Sequence, residues 1–176
     1  MALIRPFDGK TPRVADSAFV VEDAVLIGDV EIGADSSIWF GSVLRGDVHS
    51  IRVGARTNIQ DLTVVHVTEE RHATSIGDDV TVGHRVVLHG CTVKNRCLIG
   101  IGSIVMDGVV VEDEAMVGAG ALVPPGMVVP SHTLVLGAPA KVKRSLTPQE
   151  IAYFRESAQS YAARAKQYRA EGWSAR

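Results

Sequence analysis

The sequence predicts a mainly β fold: a single-stranded parallel β-helix of six-residue (hexapeptide) repeats, followed by one C-terminal α-helix. Aliphatic residues recur every six positions, glycine often follows them, and a capped amphipathic segment stands near the end. Aromatic residues make up only 5% of the 176 residues, which suits a narrow core. We expect a β-helix over residues 1–145 and a helix packed on it within residues 146–176.

The six-residue period is the main evidence for the β-helix. A helix repeats its apolar face every 3.6 residues and a strand every two, so a period of six indicates a short strand, a corner and the next strand. Three such sides close one coil, and coils stack about 4.8 Å apart. A valine-rich sandwich is the alternative. With three slips, the aliphatic series is Val14, Val20, Leu26, Ile32, Ile38, Leu44, Val53, Ile59, Val65, Ile76, Val82, Leu88, Val93, Ile99, Val105, Val111, Val117, Val123, Val129 and Val135.

Glycine marks many of the expected corners. A tight corner leaves little room for a side chain and favours an unusual φ, which glycine adopts at low cost. We expect one or both of these reasons to apply at Gly28, Gly33, Gly54, Gly77, Gly83, Gly100 and Gly118.

The C-terminal segment has the pattern of an amphipathic helix. Thr147 is a suitable N-cap, Pro148 suits the first helical position, and Glu150 completes a capping box. Gly172 follows the expected end near Ala170. The apolar stripe, expected to pack on the flank of its own or a neighbouring β-helix, is Ile151, Phe154, Ala158, Tyr161, Ala162 and Ala165.

Composition excludes several classes of partner. The net charge is −2 and the charges are scattered, so neither nucleic acid nor a membrane surface is expected to bind. The chain has no leader pattern and no apolar run long enough to span a bilayer, so we expect a cytoplasmic protein. Cys91 and Cys97 are expected to be reduced. Cys91 should fill the core, with ligation of a soft metal as the alternative.

The period also places two histidines together. His66 follows Val65 and, three repeats later, His89 follows Leu88, so both should lie in one column on adjacent coils, about 4.8 Å apart. Three repeats before His66, Arg45 falls in the same column.

A third histidine belongs to a second column. His84 should stack on Asp61, which Gln60 precedes, on a different side of the coil. A neighbouring subunit could bring His84 to His66 and His89, and three histidines with an open fourth position are typical of catalytic zinc. A closed homotrimer would contain three such sites. The alternative is that all three are surface residues, as we expect for His49, His72 and His132.

The stretches VLRGDVHSIRVGARTNIQDLTVVHV and SIGDDVTVGHRVVLHGC resemble the γ-class carbonic anhydrases over nearly the whole chain. This resemblance implies a left-handed β-helix and a homotrimer with intersubunit metal sites. It implies Zn²⁺, with Fe²⁺ or Co²⁺ possible, on His66, His89 and His84, with His84 from the adjacent subunit. The implied reaction is the reversible hydration of CO2 to bicarbonate.

Further roles follow from the same resemblance. Arg45 and Asp61 match residues that pair across the interface, and Asp47 belongs to their network. Gln60 matches a residue that hydrogen-bonds the water on the metal. Asn58 matches a position that orients CO2 or bicarbonate.

The chain departs from the best-characterised form of the family in one loop. That form carries a longer acidic loop with a proton-shuttling glutamate, whereas this chain has the short segment TEERHAT. Glu69, Glu70 and His72 lie there as shuttle candidates, with solvated surface residues as the alternative. Tyr161 matches a tyrosine that reaches the rim of the site or packs the helix.

Two other functions compete with CO2 hydration. One is a metal-binding trimeric scaffold or protein-binding member with little or no activity. The other is a hexapeptide acyltransferase, which shares the closing segment Leu136-Gly137-Ala138-Pro139-Ala140-Lys141 and uses a histidine as general base.

Overall fold

A computed structural model describes residues 2–174 and confirms the predicted fold class, a β-solenoid of about seven turns with one C-terminal helix. The helix α1 spans Pro148–Ala170. The strands are β1 Leu3–Arg5, β2 Arg13–Val14, β3 Phe19–Val20, β4 Val25–Ile32, β5 Ser37–Ile38, β6 Val43–Val53, β7 Asn58–Ile59, β8 Val64–His66, β9 Thr74–Ile76, β10 Thr81–Val82, β11 Val87–His89, β12 Thr92–Val93, β13 Leu98–Ile99, β14 Ile104–Val105, β15 Val110–Val111, β16 Met116–Val117, β17 Leu122–Val123, β18 Val128–Val129, β19 Thr133–Gly137 and β20 Ala140–Ser145.

The strands stack in parallel on three sides. One side is the column β3-β5-β7-β10-β13-β16-β19, which β20 extends in antiparallel pairing. The other two sides form one sheet, because β4 and β6 each run around a corner and contribute to both. The two halves of β6 pair with β8 and β9, respectively. Each side chain therefore lies directly above its equivalent in the preceding coil.

The core is the predicted aliphatic series. From Val20 to Val135 every member is at most 4% exposed, and together they fill the axis of the solenoid. The prediction fails at Val14, which is only half-buried. Within residues 2–174 its strand, β2, stands at the end of its column and pairs with β4. Cys91 and Cys97 are buried free thiols, as expected for Cys91 in the core.

Of the two expected reasons for the glycines, the unusual φ holds only at Gly28, where φ is 75°. The lack of room for a side chain is confirmed at the other positions, where an added Cβ would meet atoms of the next coil. A Cβ on Gly33 would lie 2.4 Å from the carbonyl oxygen of Gly54, and one on Gly100 would lie 2.5 Å from the Ala119 nitrogen. One corner column that does adopt left-handed φ is mostly charged: Asp35, Arg56, Asp79, Arg96, Glu114 and His132.

Helix α1 is capped as predicted. The Thr147 side chain accepts a hydrogen bond from the Glu150 nitrogen, and the Glu150 carboxylate accepts one from the Thr147 nitrogen. Glu171 is the C-cap and Gly172 follows with φ 89°. The helix contacts β3, β5, β7 and β10. Its buried residues are Phe154, Ser157, Ala158 and Ala165.

Within residues 2–174, no helix is both long enough and apolar enough to cross a membrane.

Candidate metal centre

His66 and His89 lie side by side, as their register predicts. They end β8 and β11, and their Cα atoms are register partners in the parallel ladder. The His66 Nδ1 is 3.1 Å from the His89 Nε2, and the ring centroids are 5.0 Å apart. Leu44 of β6 pairs with Val65 of β8, which confirms that Arg45 continues the same column.

Two carboxylates fix which nitrogen of each ring carries hydrogen. Asp47 Oδ1 lies 3.1 Å from the His66 Nε2, and Asp107 Oδ1 lies 2.6 Å from the His89 Nδ1. Because a carboxylate accepts hydrogen bonds, each of these nitrogens is a donor. In the neutral rings the two facing nitrogens then both present lone pairs toward each other. Converging imidazole lone pairs, each backed by a carboxylate, are the donor set of a divalent cation.

The local electrostatics favour the neutral form of the His66 imidazole, which is the form that binds metals. Burial lowers the pKa of the His66 imidazole below its usual value, although its hydrogen bond to Asp47 opposes this shift. Burial would raise the pKa of the Asp47 carboxyl, but hydrogen bonds from Arg45 and His66 outweigh it and leave that pKa lowered. The site therefore favours a neutral imidazole next to an ionised carboxylate, the state in which histidine binds metals.

His84 lies on another side of the solenoid. It follows β10, and its Nδ1 is 2.8 Å from Asp61 Oδ2, which confirms the predicted second column. The His84 side chain is 42% exposed, and its Nε2 is not part of that contact. Within residues 2–174 of a single chain, no group of three or more His, Cys, Asp or Glu side chains is arranged to hold a metal.

Within the chain, Arg45 pairs with a different carboxylate from the one assigned by resemblance. Its guanidinium forms an ion pair with Asp47, whereas Asp61 pairs with His84. Asp47 therefore joins Arg45 to His66, as expected of a shared network. The pairing of Arg45 with Asp61 across an interface stays a prediction.

A buried chain of hydrogen bonds connects Gln60 to the helix. Gln60 Nε2 donates to Asn58 Oδ1 at 3.0 Å, and Asn58 Nδ2 donates to Thr81 Oγ1 at 3.0 Å. The Thr81 hydroxyl lies 2.9 Å from the Ser157 hydroxyl of α1. The four residues are at most 8% exposed. Because Asn58 Nδ2 also donates to the Val80 carbonyl, the direction of the chain is fixed, and the Gln60 Oε1 is left as an acceptor.

The remaining candidate residues are Tyr161, Glu69 and Glu70. Tyr161 lines a groove with Gln60 and His84, and its ring packs edge-on against Trp39 at 5.6 Å. Burial raises the pKa of the Tyr161 hydroxyl above its usual value. Glu69 and Glu70 are exposed in a tight turn after β8, and nothing places them against the histidines.

The histidines expected at the surface differ from one another. His132 is exposed and binds Glu114, and the His49 Nδ1 accepts a hydrogen bond from the Ser50 nitrogen. His49 and His72 are both half-buried. Cys91 is 1% exposed, and burial raises the pKa of its thiol to about 12, so it remains protonated and is a poor ligand.

Sequence reasoning missed four residues of this region: Asp107, Thr68, Thr81 and Ser157. Asp107 had a usable signal, because it stands 18 residues after His89, one coil further along. Thr81 likewise stands one coil after Asn58 in register. Ser157 had none, since the docking angle of the helix decides which residue meets Thr81.

Comparison with known proteins agrees with this geometry. No protein-family model matches the chain. It is 47% identical over 168 residues to a carbonic anhydrase of Geobacillus kaustophilus, covering 96% of this chain and 92% of that protein. It is 49% identical over 174 residues to the mitochondrial gamma carbonic anhydrase 1 of Arabidopsis thaliana, covering 96% of this chain but only 63% of that protein.

A solved structure agrees in fold. The hexapeptide transferase family protein of Anaplasma phagocytophilum superposes with a TM-score of 0.91 at 47% identity, covering 94% of this chain and 98% of that one. Sequence identity at this level over nearly the full length of the bacterial anhydrase establishes the relationship. This chain belongs to the gamma carbonic anhydrase family.

Proposed function

We propose that the chain forms a homotrimer that catalyses the reversible hydration of CO2 to bicarbonate at intersubunit zinc sites. Each site takes His66 and His89 from one subunit and His84 from the next. The observation that carries the proposal is that the His66 Nδ1 and the His89 Nε2 lie 3.1 Å apart while a carboxylate holds the other nitrogen of each ring. Two nitrogens at this separation suit one zinc ion with bonds of about 2.0–2.1 Å.

The bound metal would supply the nucleophile by lowering the pKa of a water toward about 7. The chain's own residues orient the reactants. The Gln60 Oε1, fixed as an acceptor, is suited to take a hydrogen bond from a hydroxyl group in the groove shared with His84. Asn58 acts through Gln60, since its amide is buried and engaged with Gln60, Val80 and Thr81. Fe²⁺ or Co²⁺ would suit the same imidazole ligands.

An exposed apolar ridge supports the trimer. On the side between the two histidine columns, the outward residues of β8, β11, β14 and β17 stack in register. The corner beside them adds Leu62 and Ile101, which are 59% and 50% exposed. An apolar strip of this kind marks a protein interface. The apolar ridge consists of Val64, Val87, Ile104 and Leu122.

Proton transfer, one ion pair between subunits and the cellular location complete the proposal. Glu69 and His72 flank the turn after His66 and are the proposed proton carriers to solvent. Arg45 and Asp61 are proposed to pair between subunits. The free buried thiols of Cys91 and Cys97 suit a cytoplasmic location.

The test is stopped-flow CO2 hydration on anaerobically purified protein, with zinc and iron measured per chain in the same sample. We expect about one metal per subunit, with activity that scales with metal content and is lost in His89→Ala. Stoichiometric metal without activity in a verified trimer would contradict the proposal and favour a scaffold protein in which the metal only stabilises the trimer.

Acyl transfer remains a second candidate because the Anaplasma protein of the same fold is named a hexapeptide transferase. The absence of metal from the purified trimer, together with acetyl-CoA binding, would favour it.

A further inference from the structure

Asp107 uses both carboxylate oxygens beside His89. It follows β14, one coil beyond His89, and its Oδ1 accepts a hydrogen bond from the His89 Nδ1 at 2.6 Å. Its Oδ2 accepts one from the Thr68 hydroxyl at 2.8 Å. The carboxylate is therefore held from two directions and cannot rotate away from His89 without losing a partner.

The local backbone leaves space for this arrangement. Gly90 has φ 56°, and a Cβ there would lie 2.4 Å from Asp107 Oδ1 and 2.7 Å from the His72 Cβ. The turn between Thr68 and His72 is closed by a bridge in which the Thr68 nitrogen donates to the His72 carbonyl at 2.9 Å. Because residue 90 is glycine, the turn between Thr68 and His72 can pack closely enough for the Thr68 hydroxyl to reach the Asp107 carboxylate.

We propose that Asp107, anchored by Thr68, is a positioning residue that holds His89 as its Nδ1–H tautomer and directs Nε2 toward the metal. This inference rests on the proposed function for the metal itself. The hydrogen bond between Asp107 and His89, which defines the tautomer, does not depend on a bound metal. Outer carboxylates of this kind typically contribute 10- to 100-fold to metal affinity.

The competing explanation is that Asp107 only links two neighbouring coils by hydrogen bonds. Asp113 is a link of this kind, since it accepts hydrogen bonds from the Asn95 backbone and side-chain nitrogens. Removing such a link would lower the stability of the fold but would leave the metal affinity of the folded protein unchanged.

The decisive measurement is zinc affinity by competition with a chromophoric chelator. We expect Asp107→Ala to weaken zinc binding about 10- to 100-fold and Thr68→Val to weaken it less. Asp107→Asn should fall between the wild type and Asp107→Ala, because its amide oxygen still accepts from Nδ1. Asp113→Ala is the matched control, since it removes a carboxylate that accepts hydrogen bonds from Asn95 of the preceding coil and, within residues 2–174, from no histidine.

A second measurement needs no metal. In ¹⁵N-histidine-labelled protein, which has six histidines, the two-bond couplings of His89 should show hydrogen on Nδ1 in the wild type and a mixture of tautomers in Asp107→Ala. Equal zinc affinity in Asp107→Ala and wild type, or an unchanged tautomer, would overturn the inference. A wild type that binds no zinc would overturn the proposed function, and the tautomer result would then decide the positioning claim alone.

Discussion

At the scale of single residues, a buried hydrogen-bond network orients the side-chain amide of Gln60. A glutamine side chain can present either oxygen or nitrogen to a ligand. Here Gln60 presents its oxygen, because its nitrogen donates to Asn58 Oδ1 while Asn58 Nδ2 donates to the Val80 carbonyl, which can only accept. The chain continues through Thr81 to Ser157. Helix α1 therefore contributes to the site through a hydroxyl group that faces the core.

Thr81→Val tests this chain. The substitution keeps the shape of the side chain but removes the hydroxyl between Asn58 and Ser157, so the Asn58 nitrogen keeps only the longer hydrogen bond to the Val80 carbonyl to hold both amides. We expect kcat/KM for CO2 hydration to fall about tenfold, equivalent to about 1.4 kcal/mol, with zinc content unchanged.

Thr81→Ser is the control, because it restores the hydroxyl and should restore most of the activity. An equal loss of activity in both variants would show that packing of the methyl group, and not the hydrogen bond, matters at this position.

Residues placed by register could be predicted from the sequence, and those placed by contacts between elements could not. The pairing of His66 with His89 and of Asp61 with His84 follows from counting repeats. The ion pair of Arg45 with Asp47 does not, because it depends on the bend within β6.

At the scale of elements, coil stacking explains the glycines better than backbone freedom does. Positions such as Gly100 have ordinary φ but lie against the backbone of the next coil. The sequence signalled a corner correctly. It could not distinguish a conformational requirement from a steric one, since both select glycine.

Gly100→Ala should therefore destabilise the solenoid. The new methyl group would lie 2.5 Å from the Ala119 nitrogen, and the backbone of that coil can move only by breaking its ladder. We expect a loss of about 2 kcal/mol in the free energy of unfolding, measured by urea denaturation. Gly118→Ala is the matched control, because the nearest atom there is the movable Leu136 Cδ1.

A loss in Gly118→Ala as large as that in Gly100→Ala would contradict the stacking explanation.

The period of six and the helix with its cap were accessible from the sequence because both depend on local pattern. The structural cause of the three slips was not, since one slip lies inside the continuous strand β6 and the others lie between β8 and β9 and between β11 and β12. The handedness of the coil is likewise independent of the period and followed only from the resemblance.

At the scale of the whole molecule, the apolar ridge should control assembly. Val64 and Ile104 are 40% and 38% exposed in the single chain, and charges placed there would be buried by a neighbouring subunit. We expect Val64→Asp combined with Ile104→Asp to yield monomers by sedimentation velocity while the β signal in circular dichroism is kept. Val128→Asp is the control, since Val128 is 55% exposed on another side. A trimeric double variant would exclude the ridge from the interface.

Mixed trimers test whether the metal site is shared between subunits. His66→Ala and His84→Ala should each abolish metal binding, because each removes one ligand from every site of a symmetric trimer. In a mixed trimer, one interface always joins an intact His66 and His89 to an intact His84. Each verified mixed trimer should therefore bind about one third of the wild-type amount of zinc.

The control for this experiment mixes His66→Ala with His89→Ala. Both defects then lie in the same half of the site, so no interface regains all three ligands and zinc should remain absent. Recovery in the first mixture alone requires that His84 come from a different subunit than His66 and His89. Equal recovery in both mixtures, or none in either, would mean that the three histidines do not share a metal across an interface. The carboxylates on their rings would then have only a structural role.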